Sequence, residues 1–107
     1  MVIVDIEPVT GFLNSLEPTV RAKAYRGIDL LAKNWPAIGE PYVERLPDEL
    51  CVLRERYSNV QIRLFFFQVE PGQLAMVDGY IKKTRKIPLH VLKRAVLTMK
   101  IYMKSQK

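Results

Sequence analysis

The chain has 107 residues, 49% of them hydrophobic and 26% charged, which suits a single domain over 1–107 and excludes a disordered chain. One cysteine, Cys51, excludes an internal disulfide and leaves too few thiolates for a cysteine-ligated metal. The formal charge of +6 is uneven: five Lys/Arg stand against eight Asp/Glu through Leu53, and twelve against three from Arg54 onward, so the second half points to a polyanion such as nucleic acid.

Val2, Ile3, Val4 and Ile6 predict a first strand over Met1–Glu7, closed by Pro8. The opening MVIVDIEPV has no basic segment before its short apolar run, so no secretory leader is expected. Phe12, Leu13 and Leu16 predict a short amphipathic helix. Glu17-Pro18 interrupts it, and proline is tolerated in the first turn of the next helix. There Val20, Ala24, Ile28, Leu31 and Trp35 recur at helical spacing, with Arg21, Lys23 and Arg26 off the stripe and Pro36 ending it. Ala37 to Glu49, with Gly39, Pro41 and Pro47, reads as a connecting loop.

Three strands are expected next, over Leu50–Tyr57, Val60–Val69 and Gln73–Ile81. Ser58-Asn59 and Glu70-Pro71-Gly72 supply tight turns, which implies an antiparallel meander. A basic loop, Lys82 to Ile87, leads to Pro88 and a last helix with Leu89, Leu92, Val96, Met99 and Met103 on one face, free to pack on the domain or to serve a partner. The expected fold class is α+β: a two-layer domain with two N-terminal helices on one face of an antiparallel sheet, the other face partly open, and a C-terminal helix. No apolar run approaches the roughly 20 residues of a membrane span, so a soluble cytoplasmic protein without membrane contact is expected.

Side chains alternate along a strand, so Arg54 and Arg56 share one face, as do Arg63, Phe65 and Phe67. Either Arg54 and Arg63 form a cationic centre that binds phosphate with aromatic neighbours, or each pairs with an acid such as Glu55 or Glu70. Lys82-Lys83-Thr84-Arg85-Lys86 places four cations in five residues, a loop that grips an RNA backbone or is simply solvated. His90 reads as a surface residue and Cys51 as a core filler. No phosphate-binding glycine loop, metal-ligand set or Ser-His-Asp arrangement is visible, and no metal or cofactor is expected.

Four segments carry a resemblance. They are Arg21-Ala22-Lys23-Ala24, Leu50-Cys51-Val52-Leu53-Arg54, Ile62-Arg63-Leu64-Phe65-Phe66, and Asp78-Gly79-Tyr80-Ile81-Lys82-Lys83-Thr84-Arg85-Lys86-Ile87-Pro88. In order and spacing the chain resembles the phage-derived, HigB-like branch of the RelE/ParE toxin superfamily. The most specific part is the glycine-aromatic-x-Lys-Lys-Thr-x-Lys-x-Pro run from Gly79 to Pro88.

The resemblance implies a RelE/ParE-like domain with a mobile or repacking C-terminal helix, and the toxin of a type II toxin–antitoxin pair. Its activity would be metal-independent, ribosome-dependent cleavage of mRNA, in which the ribose 2′-hydroxyl attacks the adjacent phosphate. The implied partners are a helix-turn-helix antitoxin, the ribosome and mRNA. Arg54 and Arg63 would hold the scissile phosphate and Lys83 would assist proton transfer. Lys82, Thr84, Arg85, Lys86 and Arg56 would bind the RNA backbone.

The chain departs from the pattern at Val52 (commonly Glu), Asp78 (often His) and Phe66 (often Tyr). Each departure removes a proton-transfer group, with Asp78 itself the candidate acceptor. Two other readings stay open: a non-enzymatic, ParE-like gyrase inhibitor, and a degenerate relative that binds only an antitoxin or nucleic acid.

Overall fold

The computed structural model describes residues 1–106. Strand β1 (Val2–Asp5) leads into helix α1 (Val9–Ser15) and helix α2 (Pro18–Asn34). Strand β2 (Val43–Arg45), a single 3-10 turn (Pro47–Glu49) and strands β3 (Cys51–Tyr57), β4 (Val60–Glu70) and β5 (Gln73–Ile81) follow, and helix α3 (Leu89–Ser105) ends the chain. The sheet order is β1-β5-β4-β3-β2. Pro18 opens α2 in its first turn, where a missing N–H costs nothing, and Ala24, Ile28 and Leu31 bury the expected stripe.

The β3–β4–β5 meander is antiparallel as expected, but the sheet as a whole is mixed, because β1 runs parallel to β5 in the register Val2↔Gln73 to Asp5↔Met76. Turn lengths specify only the meander. It leaves β5 with an open edge, and β1 fills it from a distance that no local signal encodes. The segment read as a loop contains β2, whose three residues pair with β3 from Val43↔Leu53 to Arg45↔Cys51. Pro41 and Pro47 on either side hide so short a strand from pattern reading.

Alternation along the strands sorts the core into two clusters. Leu53, Ile62, Leu64, Phe66, Leu74 and Met76 face α1 and α2, meeting Val9, Leu13, Ala24, Ile28 and Leu31. Val52, Phe65, Phe67, Ala75 and Val77 face the other way and are covered by Val91, Ala95 and Met99 of α3. The second face is therefore not open along β5 and β4, and helix–sheet–helix layering replaces the expected two layers there. The packed face of α3 is also rotated from the expected one: Leu89 is 63% exposed and Met103 40%. Apolar residues lie all around this helix, and Val91, Ala95 and Met99 are the ones it buries.

Two details set the geometry of β5. The register moves from Phe66↔Met76 to Phe65↔Asp78, so Val77 is an extra residue and both Val77 and Asp78 turn toward α3. On the opposite face a Cβ on Gly79 would lie 2.5 Å from Phe12 Cδ2 and 2.8 Å from Leu64 Cδ2, so the absence of a side chain lets α1 seat against β5.

Candidate nucleic-acid interface

The strand registers lay the polar residues of the α3-side face out in rows. Val52, Phe65 and Asp78 are cross-strand partners and form a row beneath α3. The next row is Arg54, Arg63 and Tyr80. The last is Arg56 and Gln61, with Lys82 joined to it by its N–H donating to the Gln61 carbonyl at 2.8 Å. Tyr80 still packs against the apolar cluster that α3 covers, and the charged and polar residues of the second and third rows form a polar floor beside it.

Arg54 and Arg63 stand directly opposite each other. The Arg54 N–H points away from β4 and donates to the Tyr42 carbonyl at 2.8 Å, which makes Arg54↔Arg63 a non-hydrogen-bonded pair, the class whose side chains lie closer together. Like charges opposed in this way destabilise a sheet unless an anion offsets them. On the β2 side that anion is carboxylate: Arg54 Nη1 and Nη2 each lie 2.7 Å from an oxygen, of Glu40 and Glu44 respectively. The partners anticipated for a paired arginine, Glu55 and Glu70, do not take this role.

Arg63 is different. Its guanidinium donates only to neutral oxygens, the Ile62 carbonyl at 3.1 Å and Gln61 Oε1 at 3.4 Å, and among the described residues it forms no ion pair. Burial makes its charge less favourable than usual and the neighbouring Arg54 adds to that, while Tyr80 and Glu44 act the other way. Tyr80 lies next to it, stacked on Phe65 with centroids 5.8 Å apart and planes at 25°. Burial raises the Tyr80 phenol above its ordinary pKa, and Arg63 opposes the rise. A half-buried arginine without a carboxylate, beside a half-buried hydroxyl, can bind a phosphate oxygen and exchange a proton.

The basic loop lies where the sequence places it, between β5 and α3. Lys82 is half-buried at the edge of the floor, while Lys83, Thr84, Arg85 and Lys86 are exposed. Thr84 Oγ1 donates to the Lys86 carbonyl at 3.0 Å and holds the bend. None of the loop's cations forms an ion pair among the described residues. The fold thus gathers Arg54, Arg56, Arg63 and Lys82 on one floor, with Lys83, Thr84, Arg85 and Lys86 leading away from it.

Asp78 is placed apart from that group. It is 0% exposed and accepts from Arg94 Nε at 2.7 Å, Arg94 Nη2 at 2.9 Å and the Gly79 N–H at 2.8 Å. Both its oxygens are engaged, so it ties α3 to β5. Phe66 is buried on the α1/α2 side, edge-on to Trp35 at 5.2 Å, and a hydroxyl there would not reach the polar floor. Val52 is buried under α3. His90 is exposed in the first turn of α3 and Cys51 is buried.

Sequence reading missed Tyr80, Arg94 and the Glu40/Glu44 pair. Tyr80 was within reach: a two-residue turn at Ser58-Asn59 sets Tyr57↔Val60 and hence Arg54↔Arg63, and a count along β5 then brings Tyr80 close to that row. Arg94 and the two glutamates depend on long-range packing that no spacing records.

Among the described residues no three His, Cys, Asp or Glu are grouped to hold a metal ion, and no helix is long and apolar enough to cross a membrane. A family model described as "Phage derived protein Gp49-like (DUF891)" matches residues 11–100. No curated protein matches the chain.

Proposed function

The chain belongs to the Gp49-like family of phage-derived proteins, a RelE/HigB-like toxin family associated with toxin–antitoxin pairs, and from that membership we propose that it is a toxin that cleaves mRNA on the ribosome without a metal. The family implies an antitoxin as partner. The observation that carries the mechanistic reading is the opposed Arg54↔Arg63 pair, of which Arg63 has no carboxylate.

In this reading the scissile phosphate lies over the Arg54–Arg63–Tyr80 row. The 2′-hydroxyl oxygen attacks the adjacent phosphorus, the P–O5′ bond breaks, and a 2′,3′-cyclic phosphate and a 5′-hydroxyl remain. Arg63 and Arg54 stabilise the negative charge that grows on the non-bridging oxygens. Two protons must move, one off the 2′-hydroxyl and one onto the 5′-oxygen. Tyr80 and Lys83 are the groups assigned to that work, and Tyr80 supplies a hydroxyl at the floor that Phe66, on the far face, does not. Lys82, Thr84, Arg85, Lys86 and Arg56 track the flanking backbone. Asp78, with both oxygens engaged by Arg94 and Gly79, is assigned to holding α3 and not to accepting the proton.

Inducing the chain in a bacterial host and mapping transcript 5′ ends tests this. Growth arrest with new 5′ ends inside translated reading frames is expected. Arg63→Gln should reduce cleavage by at least 100-fold, the loss of about 3 kcal/mol expected when one donor to a developing oxyanion is removed. Arrest with intact mRNA and an induced DNA-damage response would favour the gyrase-inhibitor reading. No arrest at all would favour a degenerate binding protein.

A further inference from the structure

We propose that the groove between α2 and the outer edge of β3 is a docking site for an extended, acidic segment of a partner protein. The inference deepens the toxin–antitoxin reading and rests on it, since the partner meant is the chain's protein antagonist.

Three independent features meet in this groove. The first is an unfilled strand edge. Pairing of β2 with β3 ends at Val43↔Leu53, and the Tyr42 carbonyl takes one more N–H, that of Arg54. Beyond it, Arg56 has the same orientation as Arg54, because alternate residues of a strand turn their backbone groups to the same side. Among the described residues no backbone group pairs with the Arg56 N–H on that side. An extended segment adding there would continue the sheet past β2.

The second feature is apolar surface beside the edge. Leu30 of α2 is 52% exposed and Tyr42 is 61% exposed, and both border two adjoining depressions of about 390 and 290 Å³. Gly27 lines both, and its missing side chain leaves the space that the Glu55 carboxylate fills, since a Cβ there would lie 1.2 Å from Glu55 Oε1. Alternate side chains of an added strand would turn into this hollow.

The third is charge. Lys23 and Arg26 on α2 and Arg56 on β3 rim the larger depression. Its one acid, Glu55, has its carboxylate turned in against Gly27. Basic residues on a strand edge discourage pairing with another copy of the same chain, and an acidic strand is the partner they admit. Arg54 lines both depressions and belongs to the polar floor as well, so a segment seated here would lie beside a residue that the RNA reading requires.

The test uses the full chain and the protein encoded by the reading frame adjoining its gene. Complex formation is measured by calorimetry, and backbone exchange by hydrogen–deuterium exchange. Slowing of the Arg56 amide by tenfold or more on binding, with Leu30→Glu weakening the complex at least tenfold, is the expected result. Leu30 is exposed, so this variant keeps the fold, and its binding to single-stranded RNA should be unchanged. Tight binding with the Arg56 amide unprotected, or insensitive to Leu30→Glu, overturns the proposal. Protection confined to α2 would indicate a docked helix and overturns it too. Absence of any complex, by contrast, counts against the toxin–antitoxin reading on which the proposal rests.

Discussion

Glu55 sits on the α2 side of β3 with Oε2 buried and without a hydrogen-bond partner. Burial without a counter-charge raises its carboxyl to about 7, only partly offset by the nearby Tyr57 hydroxyl. The folded state therefore holds the proton more tightly than the unfolded chain, whose glutamate titrates near the ordinary 4.5. Stability from this group is complete below about pH 4.5 and is lost as pH rises through about 7. Glu55→Gln should remove that dependence and make the protein more stable than wild type at pH 8, by about 2 kcal/mol. Urea denaturation at pH 5 and pH 8 checks both parts, and a variant with an unchanged pH slope would refute the assignment. At this scale the sequence was informative about which residues share a face and weak about what each one meets. Alternation grouped Arg54 with Arg56 and Arg63 with Phe65 and Phe67, and the strand register sets the two groups on one face. It could not tell that Glu40 and Glu44 neutralise Arg54 while Arg63 is left with neutral oxygens.

Helix α3 is held to the sheet by an apolar strip and by one ion pair of unequal members, Asp78 at 0% and the Arg94 side chain at 52% exposure. Removing Arg94 leaves a buried carboxylate with only the Gly79 N–H for company. Arg94→Ala should cost about 2–3 kcal/mol, near the lower end for breaking a buried pair because the arginine is half in solvent. The double variant Asp78→Asn/Arg94→Leu should recover most of that, since no charge is then stranded. Thermal unfolding of the single and double variants measures the difference, and equal losses in both would rule out a stranded charge as the cause. The boundaries of α2, β4, β5 and α3 were readable from periodicity, proline positions and turn signals. The face that α3 buries was not. Its apolar residues surround the axis, and the face that meets the sheet is the one that also sets Arg94 against Asp78, a long-range pairing that periodicity does not record.

Across the whole molecule, the charge imbalance between the two halves of the sequence becomes a spatial one. Arg54, Arg56, Arg63, Lys82, Lys83, Arg85 and Lys86 all come from the basic half, and register and loop placement collect them on one side. Binding to single-stranded RNA should weaken steeply with salt, with a log–log slope between about −3 and −5 for that many phosphate contacts. A titration from 50 to 300 mM KCl on a Tyr80→Phe variant, which the proposed mechanism expects not to cleave, measures it, and a flat response would exclude a phosphate-directed surface. The acidic half contributes to the same place from the other direction. Glu40 and Glu44 already occupy the guanidinium of Arg54, so an arriving phosphate does not find a vacant cation there. For the RNA proposed to bind here, engagement would be an ion exchange in which a tethered anion is evicted by a diffusing one. An anion tethered on a short loop competes at high effective concentration, which filters out weak polyanions and leaves the site to ligands that can also grip Arg63 and the basic loop. Glu40→Gln should accordingly tighten RNA binding several-fold and reduce the preference for structured over random polyanions such as heparin.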